Sequence, residues 1–142
     1  GKILPVIEFK GIKIGSVICV DLFYPELVRD LALRGAEIIL NPATIPDSRM
    51  RLWQKLGAVR AAENTVFIAM ANTTLTTYPD GREVKGRSFI AWPDGYELQQ
   101  CNDQPGVYYF KINTYIIKEI RQRWRYLDDI KDCKQDIVKI YS

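Results

Sequence analysis

The chain has 142 residues, the size of one domain with a single core. Hydrophobic residues make up 47% and charged residues 26%, which excludes a disordered, collagen-like or coiled-coil chain. The net charge of +3 is too small to indicate a nucleic-acid or membrane partner. Histidine is absent, so Cys-His dyads, Ser-His-Asp triads and His-ligated metals are excluded. We expect no metal and no cofactor, and any catalysis must use carboxylates, lysine or a thiol.

The first half of the chain alternates strand and helix patterns. Residues 13–18 form a short apolar, β-branched run that predicts a buried strand, and Cys19 follows it. Pro25 suits a first helical position, and Gly35 suits the end of that helix. A second strand at 37–40, a helix from 48 or 49 to 64, and a third strand at 66–71 follow. This order predicts an α/β layer of parallel strands with both helices on one face.

The second half of the chain is predicted to be antiparallel and then helical. Turn signals at 78–81 and 92–95 adjoin two apolar runs and indicate hairpins. The pattern predicts strands at 87–91, 96–100 and 107–112. Asn113 is a candidate cap for a helix that reaches Trp124. The charged stretch 126–139 has poor helical periodicity and is predicted to run over the surface as a tail.

The cysteine content and the length of the apolar runs indicate the cellular location of the protein. Cys19, Cys101 and Cys133 are odd in number and widely spaced, without a CxxC pair. This usage favours a reducing, cytoplasmic location. No signal-peptide pattern opens the chain, and no apolar run approaches the about 18 residues that a membrane span needs.

Cys19 is the candidate nucleophile. It occupies a strand-to-helix elbow, where an open α/β sheet presents reactive groups to a crevice. The Val20 amide is a candidate donor to an oxyanion. The alternative interpretation is that Cys19 is a small buried hydrophobe, as many free cysteines in strands are.

Ordered motifs over about residues 11–112 resemble the nitrilase superfamily, the carbon–nitrogen hydrolases. The run from Cys19 to Glu26, CVDLFYPE, is similar to the family's nucleophile motif. The other matching motifs, in chain order, are Gly35-Ala36, the helix Arg60-Ala61-Ala62-Glu63-Asn64, the strand that ends in Ala71-Asn72, Gly86-Arg87-Ser88, and Pro93-Asp94-Gly95. Several motifs in one order are more specific than any single motif.

The resemblance implies half of an α-β-β-α sandwich with a mixed sheet and helices on one face. It implies hydrolysis of an amide, carbamoyl or nitrile carbon–nitrogen bond through an acyl-enzyme on a cysteine. Matched residue by residue, Cys19 becomes the nucleophile and the Val20 amide an oxyanion donor. The residues implied to line the substrate pocket are Phe23, Asn41, Ala43 and Thr44.

The family's glutamate base and its lysine lie upstream of the cysteine. The charged residues before Cys19 are Lys2, Glu8, Lys10 and Lys13, and they belong to the strand and turn that lead into the elbow. We therefore interpret residues 1–142 as the C-terminal half of the family domain, with 113–142 as its terminal helix and tail and with a missing N-terminal half as its partner. Phe23 departs from the arginine that many relatives carry, so an anionic substrate group would lack that partner.

Two alternatives to catalysis by this chain remain open at this stage. The chain is either a hydrolase half or a non-catalytic interaction subunit that keeps the half-fold for association. In both cases an exposed apolar sheet face predicts a homo-oligomer.

Three further motifs favour structural roles. Arg60 and Glu63 have the spacing of a helical ion pair. The basic and aromatic run 121–126 suits a solvated helix end better than a nucleic-acid surface, and Asn72-Thr73-Thr74 suits a strand end better than a glycosylation site.

Overall fold

A computed structural model describes residues 4–141, with side chains for residues 4–133. The elements are β1 (Val6–Phe9), β2 (Ile12–Ser16), a 3-10 turn (Cys19–Phe23), α1 (Pro25–Leu33), β3 (Ile38–Ala43), α2 (Asp47–Asn64), β4 (Phe67–Asn72), β5 (Thr76–Thr77), β6 (Glu83–Val84), β7 (Phe89–Ala91), β8 (Leu98–Gln100), α3 (Tyr115–Arg123) and α4 (Tyr126–Tyr141).

Six strands form one mixed sheet in the order β1-β2-β3-β4-β7-β8. The three central strands, β2, β3 and β4, are parallel, and the flanking pairs are antiparallel. The parallel strands are joined by α1 and α2, as the alternating sequence pattern predicts. This architecture confirms the predicted α/β half-sandwich. The strand β1, which pairs with β2 through the Lys10-Gly11 turn, was not predicted from the sequence.

The helices α1 and α2 pack on one face of the sheet. Alternate strand residues point to opposite faces, and Ile39, Ile68 and Phe89 share a core cluster with both helices. Helix α2 crosses β7 closely at Gly57, where an added Cβ would lie 2.6 Å from the Phe89 ring. The close crossing therefore requires glycine at this position.

The opposite face of the sheet is only partly covered. The start of α3 packs there through Ile117, in a cluster with Phe67 and Ile90. Towards the C-terminal ends of the parallel strands, a depression of about 500 Å³ is left open. Its lining includes Ser16, Leu40, Pro42, Ala69, Ala71 and Ile90, and Leu40 is 42% exposed. The apolar sheet face expected from the sequence is therefore present.

Two sequence predictions for the C-terminal region are wrong. Residues 107–112 form no strand: Phe110 and Ile112 are half-buried against the Phe67 cluster, and the segment makes no strand pairing. The stretch 126–139 is not a tail but lies in helix α4. Leu127 anchors that helix in the main core, and Asp128 forms ion pairs with Arg125 and Lys131. Leu127 and Ile130 have the spacing of one helix face, so the apolar periodicity is present in a stretch that is otherwise dominated by charged residues.

Candidate active site

Cys19 lies directly beyond β2, at the edge where the parallel strands end. Its φ is +48°, a left-handed conformation that is uncommon for a residue other than glycine. Such a conformation costs about 1–3 kcal/mol and persists only where the surroundings hold it. The chain then makes the 3-10 turn and enters α1 at Pro25. A strained elbow at the start of a helix is a typical position for a nucleophile.

Asn41, within β3, holds the backbone of the elbow through hydrogen bonds. Its Nδ2 donates hydrogen bonds to the carbonyl oxygens of Val17, at 2.9 Å, and of Cys19, at 3.2 Å. Its Oδ1 accepts a hydrogen bond from Trp53 Nε1 at 3.3 Å. The Asn41 side chain is fully buried. Its amide group is therefore engaged in positioning the backbone on both sides of Cys19.

Arg60 on α2 holds the 3-10 turn from the helix side. Its Nε donates to the Leu22 carbonyl at 3.0 Å, and its Nη2 donates to the Phe23 carbonyl at 3.4 Å. Its Nη1 forms an ion pair with Glu63 Oε1 at 2.8 Å. These contacts fit the interpretation of Arg60 and Glu63 as a structural ion pair on one helix.

A cavity of about 320 Å³ opens beside the elbow. Its lining residues are Cys19, Val20, Phe23, Thr44, Ile45, Pro46, Arg49, Trp53, Tyr78 and Arg82. Four of the six residues predicted from the sequence are thus brought together. Asn41 and Ala43 do not line this cavity, and Asn41 lies beneath it.

Sequence reasoning missed the aromatic wall of the cavity. The Phe23 and Trp53 rings meet edge to face, with centroids 5.0 Å apart. The Tyr78 hydroxyl donates to the Thr44 carbonyl at 2.5 Å and so ties the hairpin turn to the end of β3. Tyr78 comes from a distant turn, so no local pattern links it to Cys19. Trp53 lies one helical turn after Arg49 on α2, so both side chains reach the cavity from one face of that helix.

Among the described side chains, residues 4–133, the cavity lining contains cations but no carboxylate and no lysine. Glu8 and Lys10 are exposed in the β1–β2 hairpin, and the Lys13 amide donates to Glu37 Oε2 at 3.1 Å, at the opposite end of β2. In the part of the chain with described side chains, no acidic group reaches Cys19 from the cavity wall. Residues 1–3, which include Lys2, lie outside the described residues.

Val20 directly follows the nucleophile candidate and contributes to the same cavity. Within residues 4–141, no backbone carbonyl outside the 3-10 turn accepts a hydrogen bond from the Val20 amide. An amide with that freedom beside a thiol is suited to bind a developing oxyanion.

The three thiols are expected to react at different rates in the folded protein. Cys19 is half-buried beside the cavity, Cys101 is buried and Cys133 is exposed. Burial raises the pKa of the Cys101 thiol, so less of its reactive thiolate is present at neutral pH. We expect Cys19 and Cys133 to be alkylated well before Cys101 at pH 7.5, as measured by peptide mass mapping over time. Preferential labelling of Cys101 would contradict the nucleophile assignment.

Two other sequence motifs have structural contacts. Asn72 accepts a hydrogen bond from the Ile45 amide at 2.7 Å and donates to the Gly86 carbonyl at 2.7 Å, so its amide joins three segments. Arg121, in the basic and aromatic run, donates to Thr65 Oγ1 at 2.8 Å and to the Thr65 carbonyl at 3.2 Å. These contacts favour a strand end and a helix anchor, respectively.

The described residues were also searched for membrane-spanning helices and for metal-binding clusters. None of the helices within residues 4–141 is long and apolar enough to cross a membrane. Over the same described residues, no cluster of three or more His, Cys, Asp or Glu side chains is arranged to hold a metal ion.

Comparison with known proteins gives consistent matches. The chain is 32% identical over 124 residues to the 2-oxoglutaramate amidase of Bacillus subtilis, covering 87% of this chain and 47% of that protein. The crystal structure of a carbon-nitrogen hydrolase from Helicobacter pylori G27 superposes with a TM-score of 0.78 and 25% identity, covering 91% of this chain and 50% of that one. The chain thus spans about half the length of the curated relatives it matches.

A third comparison concerns the chemistry of the site in a relative. An amidase from Nesterenkonia sp. AN1 aligns with a TM-score of 0.66 and 29% identity, covering 75% of this chain and 41% of that one. That structure shows acrylamide added at its active-site cysteine. The sequence model of the family described as Carbon-nitrogen hydrolase matches residues 1–122. With the half-sandwich fold and these relatives, the match shows that the chain belongs to the carbon–nitrogen hydrolase family of the nitrilase superfamily.

Proposed function

We propose that this chain carries the nucleophile of an amide-hydrolysing active site, with Cys19 as that nucleophile. The observation that carries the proposal is the position of Cys19 at a left-handed elbow that opens into the 320 Å³ cavity. The amidases among the relatives support an amide substrate over a nitrile.

The proposed reaction has two halves. The Cys19 thiolate attacks the amide carbon, the carbonyl electron pair moves onto oxygen, and the Val20 amide stabilises the resulting charge. The carbon–nitrogen bond then breaks, the nitrogen takes up a proton and leaves as ammonia or an amine, and a thioester remains on Cys19. Water attacks the thioester, releases the carboxylic acid and restores the thiol.

A companion segment is proposed to supply the glutamate base and the lysine that the family resemblance implies. Two observations support this proposal. The described part of the chain contributes no carboxylate or lysine to the cavity wall, although both proton-transfer steps need a base. The open sheet face around Leu40 is apolar and offers a surface for a second layer. Homo-oligomerisation is proposed on the same ground, since a bare apolar face is unfavourable in water.

Trapping of the acyl-enzyme tests the function. The chain combined with a polypeptide that carries the upstream half is mixed with small amides, quenched in acid and examined by intact mass and peptide mapping. We expect an acyl adduct on Cys19. The adduct should be absent from the Cys19→Ser variant and should form to the same extent in the Cys133→Ser variant. Substrate turnover without dependence on Cys19 would overturn the proposal. An assembled complex with no turnover and no adduct would favour the non-catalytic interaction subunit.

A further inference from the structure

The peptide group between Cys19 and Val20 is held on its carbonyl side by a buried amide. Asn41 Nδ2 donates to the Cys19 carbonyl at 3.2 Å and to the Val17 carbonyl at 2.9 Å, so both of its hydrogens are used. Asn41 is fully buried and does not line the cavity beside Cys19. The Cys19 carbonyl therefore points into the protein interior rather than into the cavity.

The direction of this carbonyl sets the direction of the Val20 N–H. The peptide bonds of residues 4–141 are all trans, and the carbonyl and N–H of a trans peptide point in opposite directions. The Val20 N–H is thus directed away from Asn41. Val20 is 53% exposed and lines the cavity, so this direction leads to the open side of the elbow. Asn41 and the cavity therefore lie on opposite sides of one rigid peptide group.

Trp53 determines which end of the Asn41 side chain faces the elbow. A half-turn of the carboxamide would exchange Nδ2 for Oδ1 and place an oxygen against the two carbonyl oxygens. Trp53 Nε1, which can only donate, lies 3.3 Å from Asn41 Oδ1. The turned carboxamide would face this donor with its own N–H groups. Trp53 is 4% exposed and packs on Phe23, so α2 fixes the orientation of the amide in β3.

We propose that Asn41 is a positioning residue for the oxyanion donor of the reaction. By holding the Cys19 carbonyl from the interior, it directs the Val20 N–H to the place beside the thiol where the carbonyl oxygen of an attacked amide becomes negatively charged. The inference rests on the proposed function for the nucleophile and adds to it a residue that does not line the cavity. A donor that is oriented before the substrate binds needs no rearrangement in the transition state, so its stabilisation of the oxyanion is retained.

Two reagents of similar size separate oxyanion stabilisation from access to the thiol. The acetyl group of p-nitrophenyl acetate passes to a thiolate through a tetrahedral oxyanion, and p-nitrophenolate leaves. The reagent p-nitrobenzyl bromide alkylates the same thiolate by displacement of bromide at a saturated carbon, without an oxyanion. The measured quantity is the ratio of acetylation to alkylation rates at Cys19 in residues 1–142, divided by the same ratio at Cys133, from peptide mass mapping. Changes in the thiolate fraction or in the access to Cys19 cancel in this normalised ratio.

Loss of the Asn41 amide should lower the normalised ratio. We expect a ratio above one in the wild-type chain and a fall of about tenfold in Asn41→Leu, because the peptide group loses the hydrogen bond that orients its N–H. Trp53→Phe keeps a ring beside Phe23 but lacks the N–H that holds the carboxamide, and we expect a smaller fall of about two- to threefold. If Asn41→Leu does not fold, an unchanged ratio in Trp53→Phe would overturn the inference.

Asn72→Leu is the matched control for Asn41→Leu. Asn72 makes the same pattern of hydrogen bonds, because its Nδ2 donates to the carbonyls of Ile45 and Gly86 and its Oδ1 accepts from the Ile45 amide. None of these partners belongs to the elbow. We expect the urea midpoints of the two variants to fall by similar amounts, while the normalised ratio of Asn72→Leu stays at the wild-type value. An equal fall of the ratio in both variants, an unchanged ratio in Asn41→Leu, or a wild-type ratio of one would overturn the inference.

Hydrolysis by the complete assembly keeps this inference and the proposed function apart. Where amides are hydrolysed in a Cys19-dependent manner, we expect Asn41→Leu to lower kcat about tenfold and to leave KM close to the wild-type value, since the oriented N–H acts on charge that develops in the transition state. Cys19-dependent turnover with an unchanged kcat in Asn41→Leu would overturn the inference and leave the proposed function standing. No turnover, together with a lower labelling ratio in Asn41→Leu, would support the inference and overturn the proposed function.

Discussion

Ammonia release from small amides by residues 1–142 alone is expected to be at least about a hundredfold slower than by the same chain combined with the upstream half. Within the side chains that the structure describes, the wall of the cavity beside Cys19 has no carboxylate or lysine. Both the thiol and the later attacking water must lose a proton, and each base-assisted step contributes about a hundredfold or more. The panel comprises small amides, ureido acids and nitriles, and the Cys19→Ser variant in the combined preparation sets the background.

Sedimentation and dye binding by the same preparations test whether the apolar sheet face is exposed in the isolated chain. We expect the isolated chain to sediment as a dimer or larger species at micromolar concentration, or to bind a hydrophobic dye at the surface around Leu40. Addition of the upstream half should reduce dye binding as turnover appears. Full turnover by the isolated chain in a compact monomeric state would contradict the half-site proposal, because the missing base would then be unnecessary.

The central layer of the fold was predictable because its signals are local. The strands β2, β3 and β4 are short apolar runs, and α1 and α2 begin and end at recognisable residues such as Pro25. The short strands β5 and β6 and the irregular course of residues 107–112 were not predictable, since they depend on which surface their side chains reach. Helix α4 was missed because charged residues dominate positions 128–132, although Leu127 and Ile130 keep the spacing of one helix face.

Some residues of the candidate site were predictable from the sequence, and others were not. Cys19, Val20 and Phe23 are adjacent in sequence, and one motif identified them together. Asn41 was assigned to the pocket by the family resemblance, but its hydrogen bonds to the Val17 and Cys19 carbonyls make it a support of the elbow backbone. Tyr78 and Arg82 reach the cavity from a hairpin whose position is set by tertiary contacts. Only the folded chain shows that relation, because no periodic pattern connects a turn to a distant strand end.

The largest effect on stability is expected from Arg60→Leu, which should lower the free energy of unfolding by about 2–4 kcal/mol. Arg60 is 8% exposed, and its guanidinium serves the carbonyls of Leu22 and Phe23 and the carboxylate of Glu63. Leucine fills much of the space but leaves those carbonyls without a donor. The side chain of Glu63 is 32% exposed, so water screens part of the lost charge pair and the effect stays below that of a fully buried pair.

Arg34→Leu is the matched control for Arg60→Leu. Arg34, which caps the C-terminal end of α1, also pairs with an acidic residue one turn earlier, Asp30, at 2.6 Å, but the two side chains are 40% and 57% exposed. Exposed helical pairs contribute about 0.3–0.5 kcal/mol, so urea denaturation of this variant should give nearly the wild-type midpoint. Arg60 anchors the turn that begins at Cys19. In the Arg60→Leu protein, the alkylation rate of Cys19 should therefore approach the rate of a free cysteine in solution. Equal stability of the two variants would show that the buried guanidinium does not hold the elbow.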